Sequence, residues 1–315
     1  MKKFLLDVYS FIKQRKHKKE IQKNAKFAEN RIKAEILRNV HSIEKGLSIA
    51  APRQGFGVKK IKEMFSLAER YIQITTDKTV LYFVVDAVGA YLAYQKSVGF
   101  ESSDIEEIAT LKEQLASKIG EHEGVYAGTT VYEKDALTCT PEQVENLFET
   151  RHSIRDFSGD PVPEALICKA VALAQRSPSA CNRQAVRVYN ISPEKYMAFE
   201  GTMEGIGGFA QDVDRFLLIT GVESAYRVGE VNQFAVSAAM FAGYLTLALH
   251  GLGVGACVIQ RSLLPHERYK TMRKALGIPE DEQAVVMLGV GMLKDRTTVP
   301  MSRRLPFDTI YKAID

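Results

Sequence analysis

Apolar and polar residues follow a helical period through the first 120 residues of the chain. Apolar side chains recur at three- and four-residue steps in four segments between residues 27 and 119, with a break of Pro and Gly at residues 51–57. Such spacing places apolar side chains on one face of a helix. In the third segment, residues 78–96, this face consists of Val80, Phe83, Val84, Ala87, Tyr91 and Ala93. The pattern predicts a helical region over residues 1–136, which ends in the polar, Gly-containing stretch 120–136.

The pattern changes from residue 137 onward. Thr140, Pro141 and Gln143 form a helix-start signature, with Thr as N-cap, Pro at the first helical position and Gln at the third. Helical segments at 163–174 and 231–250 are then interspersed with β-rich runs at 186–191, 215–220, 254–259 and 284–290. The mixture predicts an α+β domain over residues 137–315. Small residues in the helix at 231–250 allow another helix to approach closely, as in a buried or subunit-facing core.

Composition indicates a folded protein with an uneven charge. Of the 315 residues, 46% are hydrophobic and 25% are charged, which is enough apolar surface for a full core. The net charge is +4, but residues 1–26 alone contribute +7, so the remaining 289 residues carry −3. A near-neutral body gives no general case for nucleic-acid binding.

The basic N-terminal segment is also amphipathic, because Phe4, Leu5, Val8, Phe11 and Ile12 recur at helical spacing. This segment either packs on the body or on a second subunit, or it lies on an anionic membrane surface. The short apolar stretch favours packing, and peripheral membrane contact through residues 1–26 stays open as the alternative. A secretory signal is disfavoured because the segment lacks a long apolar run and a small-residue cleavage site.

Cysteine and histidine spacing disfavours disulfide and metal chemistry. The four cysteines are scattered, as expected for reduced thiols in a cytoplasmic protein. The six histidines form no ligand spacing, and the chain contains no HExxH, Walker or GxSxG motif. We therefore expect no metal site. His41 and Lys45 lie one helical turn apart, and a surface salt-bridge face is the default interpretation of that pair.

Two polar clusters are candidates for ligand binding. In the first, Arg151, Ser153 and Arg155 share one side of an extended segment, and His152 lies between them. Guanidinium groups match phosphate geometry, although two arginines near a helix end are more often solvated. In the second, Pro178 stiffens a turn whose hydroxyl and amide groups are suited to a heterocycle with alternating donors and acceptors, namely Ser179, Asn182 and Gln184. An ordinary polar loop is the competing interpretation of this second cluster.

Glycines and terminal arginines add two weaker signals. Residues 251–255 read GLGVG after a helix and before a strand, which is not the dinucleotide fingerprint. Bare backbone at Gly255 and Gly289 could lie against a flat ligand, or these glycines could serve tight packing. Arg303 and Arg304 supply either a second phosphate-binding cation or a solvated tail.

In their order along the chain, these elements resemble the nitroreductase family of FMN-dependent oxidoreductases, over roughly residues 147–315. The resemblance implies an α/β sandwich, with a mostly antiparallel sheet flanked by helices, and an intertwined homodimer that binds FMN at its subunit interface. It assigns the FMN phosphate and ribityl chain to Arg151, Ser153, Arg155 and Arg303 or Arg304, with His152 in the same element. It places Pro178, Ser179, Asn182 and Gln184 at the isoalloxazine, and Gly255 and Gly289 along it.

The sequence departs from the family pattern at two places. Ala185 and Val186 follow Gln184, where the family commonly has Pro and an aromatic residue, and His152 replaces a second arginine. The first departure makes the role of Gln184 less secure than that of Asn182. The first 140 residues lie outside the family core, and the resemblance assigns them no chemistry.

The resemblance implies a ping-pong oxidoreductase. NAD(P)H reduces the flavin at N5, and a small electrophilic substrate of nitro, quinone or enone type then takes the electrons, without a protein acid or base. Two alternatives remain open at this point: a flavin-dependent dehydrogenase or flavin-modifying enzyme on the same fold, and a non-catalytic protein that docks on a membrane or a partner.

Overall fold

Helices form the N-terminal part of the molecule. The structure is a computed structural model that describes residues 16–198, 208–259 and 266–314, so the amphipathic pattern at residues 4–12 lies outside it. The helices share one core, built around fully buried side chains such as Ile36, Ile61 and Ile108. A helical N-terminal part is therefore confirmed, with helices α1 (Ala28–Leu47), α2 (Val58–Ile72), α3 (Thr79–Ser97) and α4 (Ser103–Ile119).

The predicted inner face of α3 needs one correction. Val80, Val84, Ala87 and Tyr91 are buried, but Ala93 is exposed. Two residues of helix correspond to about 200° of rotation, so a residue two positions after buried Tyr91 points away from the core.

The C-terminal part is a four-stranded antiparallel sheet with helices on both faces. The strands are β1 (Val186–Ile191), β2 (Arg215–Val222), β3 (Val254–Ile259) and β4 (Glu282–Met292), in the spatial order β1-β2-β4-β3. The helices are α5 (Pro141–Thr150), α6 (Glu164–Ala174), α7 (Pro193–Met197), α8 (Gln233–Gly251) and α9 (His266–Ala275). The predicted α+β class is confirmed. So is the capping box of α5, in which Thr140 and Gln143 exchange hydrogen bonds of 3.0 and 3.3 Å.

Alternating residues of β2 face two separate cores. Phe216 and Leu218 pack with Tyr196 and Tyr269 on one face of the sheet. Leu217 and Ile219 lie among side chains of α6 and α8 on the other face. Because side chains of a strand alternate between its faces, burial of every residue from 216 to 222 requires cover on both sides.

Helix α8 lies across the sheet and contacts all four strands. Among the described helices it alone is long and apolar enough to span a membrane, with a third of its apolar window buried in the fold. Its outer side presents apolar side chains that are 42–50% exposed, namely Val236, Met240 and Tyr244. The small residues that the sequence singles out thus belong to a helix with one face on the sheet and one apolar face outward.

Helix α1 joins the two parts of the molecule. Ala34 is buried in a small cluster with Ala185, Val222 and Tyr226 of the C-terminal part. The Arg227 guanidinium donates to both carboxylate oxygens of Glu35, at 2.8 and 2.7 Å. These contacts hold α1 against the segments that precede β1 and follow β2, which are the segments that matter for the candidate site.

Candidate functional site

The first predicted cluster lies beside the edge strand β3. The Ile154 N–H donates to the Ala256 carbonyl at 3.0 Å, which docks an extended segment along the strand. Ile154 and Phe157 are buried, whereas Arg155 is exposed and Ser153 is partly exposed. The backbone therefore anchors this segment through its apolar residues and leaves the Arg155 side chain in solvent, as the predicted alternation requires.

Positive charge accumulates where α5 and α8 end. Burial, followed by the charges of Arg151 and His152, lowers the pKa of the His250 imidazole below its ordinary value. A hydrogen bond of 2.8 Å joins the His250 Nε2 to the Thr150 hydroxyl. Sequence analysis did not assign His250 a role, because its neighbours along the chain carry no charge. Here it is a hydrogen-bonding group beside Arg151 and His152, where its neutral form is favoured.

These cations have no carboxylate partner within the described residues. Neither Arg151 nor Arg155 forms an ion pair there, and the only recorded hydrogen bond of the Arg155 side chain to the backbone is a weak one to the Ser153 carbonyl, at 3.5 Å. Arg303 and Arg304 are exposed, and the Arg304 guanidinium donates to the Ser302 carbonyl at 2.7 Å. Unpaired guanidinium groups beside a serine are the donor set that a phosphate requires.

The second predicted cluster is a strained loop before the opposite edge strand, β1. Cys181, Asn182 and Gln184 adopt positive φ angles of 54°, 50° and 51°. Non-glycine residues rarely take this conformation, and such strain concentrates at functional sites. The loop is closed by hydrogen bonds from the Gln184 and Asn182 N–H groups to the hydroxyl and carbonyl of Ser179, at 3.1 and 2.9 Å.

Arg183 supports this loop from its buried side. Its side chain is only 2% exposed and forms a two-pronged ion pair with Glu230, with N–O distances of 3.0 and 2.8 Å. The guanidinium also lies 5.0 Å from the centroid of the Tyr226 ring. Burial alone would raise the pKa of the Glu230 carboxyl, but hydrogen bonds from Arg183 and the Arg227 N–H lower it below its ordinary value. Arg183 therefore points inward while its neighbours Asn182 and Gln184 reach outward.

Packing accounts for the glycines of the two predicted backbone segments. A Cβ at Gly255 would lie 3.2 Å from atoms of both Ile154 and Phe157, and one at Gly289 would lie 3.2 Å from Val213. At Gly291 it would lie 2.6 Å from the Phe157 ring. Gly291 therefore leaves no room for a side chain under Phe157, and Gly255 and Gly289 are tightly packed. A contact of Gly255 or Gly289 with a cofactor stays a prediction.

The structure does not bring the two predicted clusters together within one chain. One lies beside β3 and the other beside β1, and these strands are the two edges of the sheet. Adjacent strands are about 4.8 Å apart, so the edges are separated by roughly 14 Å, with covering helices on both faces. Among the described residues no hydrogen bond or ion pair joins the two sets. Across the described part of the chain, no group of three or more metal-ligating side chains was found.

The helical part adds residues to the second cluster. His41, Glu44 and Ser48 of the α1 end, together with residues 128–130, form an open cleft with Pro178, Ser179 and Asn182. The sequence predicts a surface salt-bridge face formed by His41 and Lys45. Instead, His41 Nδ1 lies 3.4 Å from a Glu44 oxygen, and Lys45 is exposed. No sequence signal links residue 41 to residue 179, because their contact depends on the tertiary packing of α1.

Comparisons with known proteins concern the C-terminal part. The model of the Nitroreductase family matches residues 148–213 and 216–292. A curated relative from Staphylococcus aureus, named an NADPH-dependent oxidoreductase, is 24% identical over 188 residues, which covers 54% of this chain and 72% of that protein.

Two solved structures resemble the same part. An FMN-dependent nitroreductase from Clostridium difficile has a TM-score of 0.46 at 18% identity and covers 54% of this chain and 99% of its own. A nitroreductase-like protein in complex with FMN, from Desulfovibrio desulfuricans, has a TM-score of 0.47 at 18% identity, with coverages of 56% and 100%.

Proposed function

We propose that the protein is an FMN-dependent oxidoreductase that uses NAD(P)H to reduce a small electrophilic substrate, because residues 148–213 and 216–292 match the model of the Nitroreductase family. The observation that carries this proposal is that the family match coincides with two clusters of suitable residues. One cluster contains arginines without an ion-pair partner among the described residues, and the other contains polar residues with a strained backbone. FMN held by these residues would supply hydride transfer between NAD(P)H and the second substrate, in a ping-pong order. We propose a nitro, quinone or enone compound as that substrate.

The residues present fit FMN chemically. Arg151, Ser153 and Arg155 would hold its phosphate and ribityl chain, because they offer a hydroxyl and forked cations that form no ion pair among the described residues. His152 belongs to the same element, and Arg303 or Arg304 would add a further cation. The His250 imidazole, whose pKa is lowered by burial and by these neighbours, lies beside Arg151 and His152 and would offer a hydrogen bond there.

The strained loop would hold the isoalloxazine. Its positive-φ residues are preset by the buried Arg183–Glu230 pair, so Pro178, Ser179, Asn182 and Gln184 need little rearrangement to contact a flat heterocycle. Such preorganisation lowers the entropy that binding would otherwise cost. Backbone and amide donors of this loop would favour the reduced, anionic ring.

We propose that each FMN is bound between two copies of the chain. The two clusters lie on opposite edges of one sheet, so a composite site requires the phosphate edge of one copy and the loop edge of another. Apolar surface for such an assembly exists on α8 and on the tail after β4. In the tail, Leu305, Phe307 and Ile310 are 72–77% exposed, as befits a segment that packs on a partner rather than on its own chain.

Two measurements test the proposal. The purified chain incubated with FMN should acquire a flavin spectrum, and NADH or NADPH should bleach it in the absence of oxygen. Protein that stays colourless contradicts FMN binding, and a yellow protein that neither nicotinamide bleaches contradicts the reductase reaction while retaining the cofactor.

Mixing two inactive variants tests the shared site. Arg155→Ala removes a phosphate contact, and Asn182→Ala removes a loop contact. A heterodimer of the two holds one site with both defects and one site with none, so coexpression should restore up to half of the wild-type FMN content per dimer. Absence of any recovery, with dimers present in solution, would show that each site lies within a single chain.

A further inference from the structure

The end of helix α1 faces the strained loop across an open cleft of about 480 Å³. One wall comes from the helical part of the molecule, and the other comes from the loop that the proposed function assigns to the isoalloxazine. The lining consists of His41, Glu44, Ser48, Gly128, Thr129, Thr130, Pro178, Ser179 and Asn182.

The two walls are fixed relative to each other. The Glu35–Arg227 ion pair lies two helical turns before His41 on the same helix, and it is formed with both carboxylate oxygens. Ala34 is buried beside Ala185, one residue after the loop. The contacts between α1 and the C-terminal part therefore hold the two walls of the cleft in place.

Glu44 organises the helical wall. One of its carboxylate oxygens lies 3.4 Å from His41 Nδ1, and the other accepts a hydrogen bond of 3.3 Å from the Gly128 N–H. A single side chain thus ties the imidazole to the segment that carries Thr129 and Thr130. Within the described residues, no recorded hydrogen bond uses His41 Nε2, which leaves that nitrogen available to a ligand.

The chemistry of the lining is polar. Ser48, Thr129, Thr130 and Ser179 contribute hydroxyl groups, and Asn182 contributes an amide. Pro178 provides the one apolar ring among the lining side chains. A site built to hydrogen-bond a substrate rejects an analogue that lacks the matching polar group, because polar groups of the protein are then left unpaired.

We propose that this cleft is the substrate site over the flavin and that it selects hydroxyl-bearing electrophiles over purely apolar ones. His41 is the specificity-determining residue through its Nε2, and Glu44 positions it. This assignment rests on the proposed function for the identity of the flavin loop, and it narrows the substrate class to polar acceptors.

Methyl-1,4-benzoquinone and hydroxymethyl-1,4-benzoquinone test the assignment, because they differ by one hydroxyl group. The FMN-loaded wild type should reduce the hydroxymethyl compound with a kcat/KM roughly threefold to tenfold higher, the range expected of one hydrogen bond. His41→Ala should abolish the preference, because KM for the hydroxymethyl compound should rise more than KM for the methyl compound. Lys45→Ala, an exposed residue on the same helix outside the cleft, should retain the preference.

A binding measurement gives a readout besides turnover. Hydroxymethylhydroquinone, titrated into the oxidised holoprotein and followed by the visible flavin spectrum, should bind with a dissociation constant several-fold larger in His41→Ala and Glu44→Gln than in the wild type. If His41→Ala stays folded and yellow, is bleached normally by NADPH and keeps both the preference and the affinity, the cleft assignment is overturned and the proposed function stands. If the wild-type protein does not bind FMN, or if NADPH does not reduce the bound FMN, the cleft assignment and the proposed function are both overturned.

Discussion

The two edges of the sheet differ in the environment of their arginine side chains. At the β3 edge, Arg155 is exposed, has no carboxylate partner in the described residues and is anchored only through the backbone beside it. At the β1 edge, Arg183 is buried, paired twice with Glu230 and stacked near Tyr226. Two arginines in neighbouring motifs therefore have different tasks, since one is free to contact a ligand and the other shapes a loop.

The difference shows how charge and burial separate function from structure. An exposed guanidinium without a carboxylate partner contributes little to stability, so most of its hydrogen-bonding capacity is open to a ligand. A buried guanidinium must be paired, and it keeps three positive-φ residues in place at the cost of desolvation. Substitutions at the two arginines should accordingly affect different measurements.

The largest effect is expected from Arg183→Leu. This change leaves the partly buried Glu230 carboxylate without its partner and removes the support of the strained loop, which should lower the free energy of unfolding by about 3 kcal/mol. Urea unfolding of the apoprotein measures it. Arg155→Leu is the matched control at the other edge and should shift stability by less than about 0.5 kcal/mol. Equal destabilisation by the two variants would contradict the distinction between the edges.

For FMN affinity the important arginine should be Arg155, whose substitution is expected to change stability only slightly. Arg155→Ala removes a charge-assisted contact worth about 1.5–3 kcal/mol, so the dissociation constant for FMN should rise roughly 10- to 150-fold. Arg155→Lys keeps the charge but loses the fork, so its effect should be intermediate. Quenching of FMN fluorescence on binding measures both. Arg176→Ala, an exposed arginine at the end of α6, is the control, and an unchanged affinity in Arg155→Ala would refute the phosphate assignment.

A smaller, pH-dependent effect is expected where α1 meets the loop edge. Burial alone would raise the pKa of the Glu35 carboxyl, but hydrogen bonds from Arg227 and Arg38 hold it below its ordinary value. A lowered folded-state pKa means that this carboxylate stabilises the protein above roughly pH 4.3 and that the contribution is lost as the pH falls through the lowered value.

Glu35→Gln should therefore cost about 0.5–1 kcal/mol at pH 7, a modest amount because the Arg227 side chain is 57% exposed. The difference from the wild type should shrink as the pH approaches 4. Urea midpoints at both pH values measure it, and Glu121→Gln serves as the exposed control. A cost that is the same at both pH values would assign the effect to packing instead of charge.

Much of the fold could be predicted from periodicity. Strands β1 and β3 have the predicted bounds, while β4 runs from 282 to 292 instead of 284 to 290. The polar residue Glu282 conceals the start of β4, because its burial depends on hydrogen bonds from the Tyr189 and Thr220 hydroxyls. The pattern also missed α7, which is short, and α9, whose charged sequence buries few side chains such as Tyr269 and Met272.

The sequence predicts which residues of the candidate site carry suitable chemical groups, but it does not predict how these residues are arranged in space. Local sequence indicates which segments carry cations or amides, and it cannot reveal that β1 and β3 are the two edges of one sheet. Arg183 and its ion-pair partner Glu230 lie 47 residues apart, so the local sequence around one residue does not predict the other. The contribution of His41 depends on how α1 packs against a loop more than 130 residues away.

The position of α1 has a consequence for the order of events during synthesis. Asn30 on this helix donates a hydrogen bond of 3.0 Å to Asp281, 251 residues later. A ribosome that adds about 5–20 residues per second needs of the order of ten seconds or more to bridge that interval. During that time the Asn30 side chain lacks its native acceptor, although the partners of α1 at residues 185–227 are synthesised earlier. The four-helix core can form first, but the docking of α1 on the C-terminal part can be completed only after residue 281 has been synthesised.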